Sequence, residues 1–124
     1  MLVVDDDEGV REFVTACLQQ LGCRIIALDN PLEAVRIFRR EQIDLVVFDI
    51  FMPDRDGIDM LMELRFMEPH VKAIAISGGG SMPTGQALRL AEKLGATVTL
   101  AKPFSVRQLQ SAVQSLLEPQ QKAA

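Results

Sequence analysis

The chain has 124 residues, a formal net charge of −4 and a hydrophobic content of 48%, which is typical of one globular domain and excludes a disordered chain. Its acidic balance, without any run of Lys or Arg, gives no electrostatic footprint for direct contact with nucleic acid or an anionic membrane. No apolar stretch approaches the roughly 20 residues of a membrane helix, and acidic residues follow Leu2-Val3-Val4 directly, unlike a signal peptide. We therefore expect a cytoplasmic protein that recognises its partners by shape and local charge.

Five short apolar runs of strand length recur along the chain, and segments with apolar residues at helical spacing lie between them. The strand candidates are Leu2 to Val4, Arg24 to Leu28, Leu45 to Phe48, Ala73 to Ile76 and Val98 to Ala101. The helical stripes are Val10, Phe13, Val14, Cys17, Leu18 and Leu21; Ala34, Val35 and Phe38; Ile58, Leu61, Met62 and Phe66; Ala87, Leu88, Ala91 and Leu94; and Val106, Leu109, Val113, Leu116 and Leu117. Five predicted strands thus alternate with five predicted helices.

Capping residues mark several of the predicted helix ends. Asn30-Pro31-Leu32-Glu33 supplies an N-cap side chain, a Pro at the first helical position and a Glu at N3. Ser105 and Gln108 have the spacing of a capping box before the last helix. Gly22 and Gly95 each follow a helical stripe, where a residue free to take positive φ closes a helix. These signals support the division into elements.

The strand candidates are almost continuously apolar, whereas strands with one face in water alternate apolar and polar residues. This pattern indicates strands buried on both faces, and therefore a parallel sheet with helices packed on either side of it. The fold class predicted is α/β, with residues 1–118 as one domain and residues 119–124 as a C-terminal tail.

Polar side chains follow the strand candidates at the positions where open parallel sheets bind ligands, outside the carboxyl ends of the strands. Asp5-Asp6-Asp7-Glu8 follows the first run, Asp49 the third, Ser77 the fourth and Lys102-Pro103 the fifth. Carboxylates gathered at one edge repel each other, and a divalent cation, an ammonium group or protonation relieves that repulsion. All-oxygen ligands favour magnesium or manganese. A carboxylate nucleophile with a lysine, a hydroxyl and a cation around it is the set of groups that phosphoryl transfer requires.

Together these motifs resemble the receiver domain of two-component response regulators. The resemblance rests on Leu2-Val3-Val4-Asp5-Asp6, the segment from Asp49 to Gly57, Ser77, and Lys102-Pro103-Phe104, and it extends from Leu2 to about Leu117. Receivers are similar in fold to flavodoxin. The resemblance therefore implies a five-stranded parallel sheet in the order 2-1-3-4-5, with helices on both faces.

The resemblance also implies roles for the matching residues. Asp49 is expected to be the phosphoacceptor, which takes a phosphoryl group from the phosphohistidine of a sensor histidine kinase or phosphotransfer protein. Asp5, Asp6, Asp49 itself and the backbone carbonyl of Phe51 are expected to hold Mg²⁺, with Mn²⁺ as a substitute. Lys102 is expected to contact the carboxylate and then the phosphoryl oxygens.

The expected switch residues are Ser77, whose hydroxyl would bond the arriving phosphoryl group, and Thr99, which stands where most receivers carry Tyr or Phe. Because threonine has one stiff torsion and little area to bury, the usual movement of an aromatic ring cannot operate here. We hypothesise that phosphorylation orders the loop Gly78-Gly79-Gly80-Ser81-Met82-Pro83 and repositions the helix from Gln86 to Leu94. Phe51, two residues after the nucleophile, is expected to shield the acyl phosphate from water.

By the same resemblance, the protein catalyses its own phosphorylation and dephosphorylation without being an enzyme for an external substrate. It would act on a downstream protein target or an output domain outside this sequence, and pair as a phosphorylation-dependent homodimer through its fourth and fifth helices.

A receiver-like docking module that is never phosphorylated is an alternative function. A haloacid-dehalogenase-like phosphatase would need a second Asp two positions after Asp49, where this chain has Phe51. Asp6 or Asp7 is also suited to cap the first helix.

Overall fold

The computed structural model describes residues 1–52, 57–78, 84–93 and 95–117, without the side chains of residues 84, 87 and 88. Its elements in chain order are β1 (Leu2–Val4), α1 (Glu8–Gln19), β2 (Ile26–Leu28), α2 (Pro31–Arg40), β3 (Leu45–Asp49), α3 (Gly57–Met67), β4 (Lys72–Ser77), α4 (Thr84–Lys93), β5 (Val98–Ala101) and α5 (Val106–Leu117). Most of the glycine-rich loop after Ser77 and the predicted tail at 119–124 lie outside the described residues. Within those ranges, no helix has the length and apolar character needed to cross a membrane.

The five strands form one sheet in the order β2-β1-β3-β4-β5, and all four strand pairings are parallel. The predicted fold class and strand order are confirmed. Because the strands are parallel, their carboxyl ends lie at one edge of the sheet. From β1 the chain adds β2 on one side of the sheet, and it then adds β3, β4 and β5 in turn on the other side. The direction in which strands are added therefore reverses between β1 and β3. That reversal opens a crevice at the carboxyl edge.

Helices cover both faces of the sheet, and successive strand residues point to opposite faces. Val4 and Phe48 belong to the core that β1 and β3 share with α2 and α3. Val3 and Val47 belong to the second core, shared with α1 and α5. The central strands β1, β3 and β4 are buried on both faces apart from Lys72 at the start of β4, whereas β2 and β5 are partly exposed. The expectation of full burial is therefore wrong for these two strands, because each has a neighbour on one side only.

The predicted capping residues are present. The Asn30 side chain accepts a backbone N–H of α2 at 2.8 Å. Ser105 and Gln108 bond reciprocally, each side chain accepting the other residue's amide, at distances of 3.0 and 2.8 Å. Gly22 and Gly95 take φ values of 82° and 116° after α1 and α4, a region where a side chain would be strained. Asn30 and Ser105 thus mark where α2 and α5 begin, and Gly22 and Gly95 mark where the chain leaves α1 and α4.

The apolar stripe predicted for the third helix is partly wrong. Phe66 is 89% exposed and Met62 is 51% exposed, whereas Met60 and Leu64 are fully buried beside Leu61. Apolar residues occupy most positions of α3, so their spacing fits more than one helix face. Contact with the sheet, which the periodicity does not contain, decides which face is buried.

Candidate functional site

The crevice at the carboxyl edge brings together four of the predicted site residues. Asp49 is the last residue of β3, Asp5 follows β1 directly and Ser77 is the last residue of β4. These three polar side chains are buried, with residue exposures of 7%, 2% and 0% respectively. Lys102 follows β5 and reaches across β4 into the same crevice. The parallel topology therefore converts four distant sequence positions into one pocket.

Lys102 is the cation of this pocket. Its Nζ lies 3.2 Å from Asp49 Oδ2 and 3.7 Å from Asp5 Oδ2, and its side chain remains 26% exposed. The lysine stem passes over Gly78, where any Cβ would collide with it. Gly78 thus leaves room for the stem, and Lys102 contacts the Asp49 carboxylate as the family resemblance implies.

Both buried carboxylates are oriented in the same way by the backbone. Asp5 Oδ1 accepts the amide of Asp7 at 2.9 Å, and Asp49 Oδ1 accepts the amide of Phe51 at 3.2 Å. In each case the bond fixes one oxygen and turns the other, Oδ2, towards Lys102. The Oδ2 atoms of Asp5 and Asp49 therefore both face the Lys102 ammonium group.

Asp6 and Asp7, adjacent in sequence, have different roles. Carboxylate oxygens of Asp5, Asp6 and Asp49 lie within 4.8 Å of one another. The carboxylate of Asp7 is the N-cap of α1 and accepts the amide of Val10 at 3.1 Å. Of the two acids suited to cap the helix, Asp7 does so, and Asp6 joins the acidic group.

Two buried polar atoms of the pocket, Asp5 Oδ2 and Ser77 Oγ, have no hydrogen-bond partner among the described residues. An unpartnered buried polar atom costs about 1–3 kcal/mol, and most such atoms in folded proteins are paired. Their positions beside Asp49 make the pocket a place where a cation or a polar ligand would gain interactions that the protein alone does not supply.

Burial makes the two inner carboxyl groups costly to ionise. It raises the pKa of Asp5 to about 6, although the hydrogen bond from the Asp7 amide opposes the shift. Burial also raises the pKa of Asp49, against the opposing charge of Lys102. A carboxylate with a raised pKa is more basic than usual, and it gains more than an exposed one from an added positive charge.

Arg11 belongs to the site, although the sequence did not indicate it. Its Nη1 donates to the backbone carbonyl of Asp5 at 2.9 Å from the second turn of α1. An arginine early in a surface helix is a common feature, and its bond to a carbonyl leaves no pattern of residue types. The contact is therefore visible only in the folded chain.

The family model of the response regulator receiver domain matches residues 1–114 of this chain. The chain belongs to that family. Sporulation initiation phosphotransferase F of Bacillus subtilis (strain 168) is 28% identical over 94% of this chain and 92% of its own length. Sensor kinase CckA of Brucella abortus (strain 2308) is 34% identical over 97% of this chain, but over only 13% of its own length. Several curated relatives are thus much longer, and the chain spans half or less of them.

Solved receiver structures share this fold. The solution structure of the beryllofluoride-activated NtrC4 receiver domain dimer is 30% identical in sequence, with a TM-score of 0.84 and 93% of both chains covered. The acidic crevice therefore lies in a receiver domain.

The structure also places Phe51 and Thr99, two further residues to which the sequence assigns a role. The half-buried Phe51 packs against the core shared with α2 and α3. Thr99 lies in β5, and its hydroxyl is 3.5 Å from Glu92 Oε2 of α4. The threonine thus contacts α4 by a polar group where an aromatic ring is usual, and the proposal that it takes part in switching stays a prediction.

Proposed function

We propose that this receiver is a phosphoacceptor whose Asp49 takes a phosphoryl group from the phosphohistidine of a sensor histidine kinase or phosphotransfer protein. The modified domain then acts on a downstream protein target or an output domain. The observation that carries the proposal is the convergence of Asp49 Oδ2, the Nζ of Lys102 and the carboxylates of Asp5 and Asp6. A nucleophile flanked by positive charge is what phosphoryl transfer demands.

The proposed reaction is a displacement at phosphorus. A carboxylate oxygen of Asp49 forms the new O–P bond while the P–N bond to the donor imidazole breaks. The electron pair of that bond stays on the imidazole nitrogen, which takes up a proton. Lys102 offsets the negative charge on the phosphoryl oxygens. The hydroxyl of Ser77, which has no hydrogen-bond partner among the described residues, donates a hydrogen bond to one of those oxygens.

The acidic group fits a hard divalent cation, Mg²⁺ or Mn²⁺. Its ligands would be the carboxylates of Asp5, Asp6 and Asp49, together with the backbone carbonyl of Phe51. All of these ligands coordinate through oxygen, and the buried Asp5 Oδ2 accepts no hydrogen bond from any described residue. When bound, the cation supplies charge neutralisation for the carboxylates and the phosphoryl oxygens.

An apolar groove of about 450 Å³ borders this pocket. Its lining includes Phe13 of α1 and Phe104 after β5, whose ring centroids are 5.9 Å apart, together with Lys102. Because Lys102 lines the groove and also contacts Asp49, a protein segment seated there would lie within reach of the carboxylate. The occupant we propose is the segment of the phosphodonor around its phosphohistidine, which would explain why Phe13 is left 39% exposed.

Labelling with radioactive acetyl phosphate tests the proposed function. Wild-type protein should incorporate label with Mg²⁺ and lose that ability in excess EDTA. D49N should incorporate none while keeping the circular dichroism spectrum of the folded domain. D44N is the matched control, since Asp44 is exposed and precedes β3 at the opposite edge, and it should label like wild type. Undiminished labelling of D49N, or labelling without a divalent cation, would refute the proposal.

A further inference from the structure

The backbone carbonyl of Asp5 lies just after the carboxyl end of β1, where the chain leaves the sheet. The amide of Asp5 still donates to Leu28 O at 3.1 Å, beyond the last paired residues of β1 and β2. Both strands end there, and the next backbone acceptor, Asp5 O, is bonded by the Arg11 guanidinium at 2.9 Å. Arg11 thus supplies a donor where the strand ladder no longer does.

This bond also restrains the backbone that leads into Asp6. The carbonyl of Asp5 and the amide of Asp6 belong to one planar peptide group, so holding the carbonyl holds the plane from which Asp6 departs. Within the described parts of the chain, no hydrogen bond or ion pair restrains the exposed Asp6 carboxylate itself. Its direction towards Asp5 and Asp49 therefore depends on the backbone that Arg11 fixes.

We propose that Arg11 is a positioning residue for the divalent-cation site, holding the peptide between Asp5 and Asp6 so that the Asp6 carboxylate points into the acidic group. The inference rests on the proposed function of that group. Among the described residues, the Arg11 guanidinium forms no ion pair with a carboxylate. Its contribution is thus geometric, through a bond to a neutral carbonyl.

A positioning role and a purely electrostatic role predict opposite results. The positive charge of Arg11 repels an approaching cation, so its removal alone would tighten Mg²⁺ binding. Loss of the bond to Asp5 O would loosen the ligand set and weaken binding. The sign of the change therefore separates the two roles.

Calorimetric titration of the full chain with MgCl₂ provides the test. R11Q should bind Mg²⁺ about tenfold more weakly than wild type, the usual order of effect for groups that orient metal ligands. R11K keeps the charge but loses the planar guanidinium fork, and should also bind more weakly. R36Q is the control, because Arg36 carries the same charge on α2, with its side chain 72% exposed, and it should bind like wild type.

Hydrogen exchange in EDTA gives a readout that needs no metal. The amides of Asp6 and Asp7 should exchange faster in R11Q and R11K than in wild type or R36Q. Unchanged or tighter Mg²⁺ binding by R11Q would overturn the inference while leaving the proposed function intact. If R11Q does not fold, R11K decides, and binding equal to wild type would overturn the inference. Absence of Mg²⁺ binding by wild type would overturn the proposed function and the inference together.

Discussion

The two edges of the sheet differ in how their polar groups are satisfied. At the amino edge, the Lys72 ammonium donates to Leu116 O at the end of α5 at 2.7 Å, and Thr97 Oγ1 accepts the amide of Ala73 at 3.1 Å. At the carboxyl edge, the buried atoms Asp5 Oδ2 and Ser77 Oγ have no hydrogen-bond partner among the described residues. The two amino-edge groups are thus paired within the chain, whereas these two carboxyl-edge atoms leave hydrogen-bonding capacity unused.

The difference shows how one fold separates stability from chemistry. Both edges rest on the same two apolar cores, so the core supplies stability to each alike. We expect the polar groups of the amino edge to add to that stability, and those of the carboxyl edge to reduce it in exchange for the proposed chemistry. Substitutions at the amino edge should therefore change stability and spare phosphorylation, and substitutions at the carboxyl edge should do the reverse.

The largest effect is expected from a matched pair of lysine substitutions. K102M removes the cation beside Asp49 and should slow labelling by acetyl phosphate about 100-fold. K72M removes the bond to Leu116 O, and should lower the free energy of unfolding by about 1–2 kcal/mol without changing the labelling rate. Initial rates at saturating Mg²⁺ and urea denaturation in EDTA measure the two quantities. Equal labelling rates for K102M and wild type would remove the distinction between the edges.

The carboxyl group of Asp5 should make the stability of the carboxyl edge depend on pH. Its pKa of about 6 in the folded protein exceeds the ordinary value of 3.8, so the folded state holds the proton more tightly than the unfolded state. This contribution to stability is complete below pH 3.8 and is lost as the pH rises through about 6. D5N keeps an oxygen acceptor for the Asp7 amide and should raise the stability at pH 7 by about 1–2 kcal/mol.

Urea denaturation of the metal-free protein across that pH range measures the effect. Wild type should lose stability as the pH rises, and D5N should show a flatter profile. The same variant should bind Mg²⁺ more weakly than wild type. If D5N were less stable than wild type at pH 7, the ionised Asp5 carboxylate would not be destabilising the folded protein, and this interpretation would be wrong.

Hydroxyl groups give a smaller contrast between the edges. S77A deletes a buried oxygen with no partner among the described residues, so the free energy of unfolding should stay constant or rise by about 0.5 kcal/mol. T97V leaves the Ala73 amide without its acceptor and should cost about 1 kcal/mol. Thermal denaturation in EDTA ranks the two variants, and a larger loss in S77A than in T97V would contradict the assignment of unsatisfied groups.

Phe51 gives the smallest expected effect. Phe51 is half-buried and its backbone amide bonds Asp49 Oδ1. If its ring hinders hydrolytic water, F51N should shorten the lifetime of the aspartyl phosphate about two- to fivefold. The backbone amide that orients Asp49 is unchanged in this variant. A chase after rapid removal of acetyl phosphate measures the lifetime, and an equal or longer lifetime in F51N would exclude shielding by the ring.

Much of the fold is encoded in local patterns of the sequence. The five apolar runs and the capped helices predict the elements of the fold, but their periodicity does not say in which order the strands lie in the sheet. The predicted strand order comes from the family resemblance. The residues after each run predicted the pocket, since parallel strands bring their carboxyl ends together. This rule places Asp5, Asp49, Ser77 and Lys102 at one edge, where the structure also has them.

Other features depend on contacts that the sequence does not contain. Asp6 and Asp7 are chemically identical neighbours, and only the path of the chain into α1 decides that Asp7 is the cap. Phe66 fits a helical stripe but lies in solvent, because the sheet selects another face of α3. Arg11 acts on a backbone carbonyl, which has no signature in residue type.

The central claim is that the Asp49 carboxyl group becomes the acyl phosphate. Borohydride reduction of the labelled wild-type protein converts an aspartyl phosphate to homoserine, and tandem mass spectrometry of the peptides locates that residue. The account predicts homoserine at position 49, with none formed when Mg²⁺ is withheld. Homoserine at position 5 or 6 instead, or phosphate on Ser77, would contradict it.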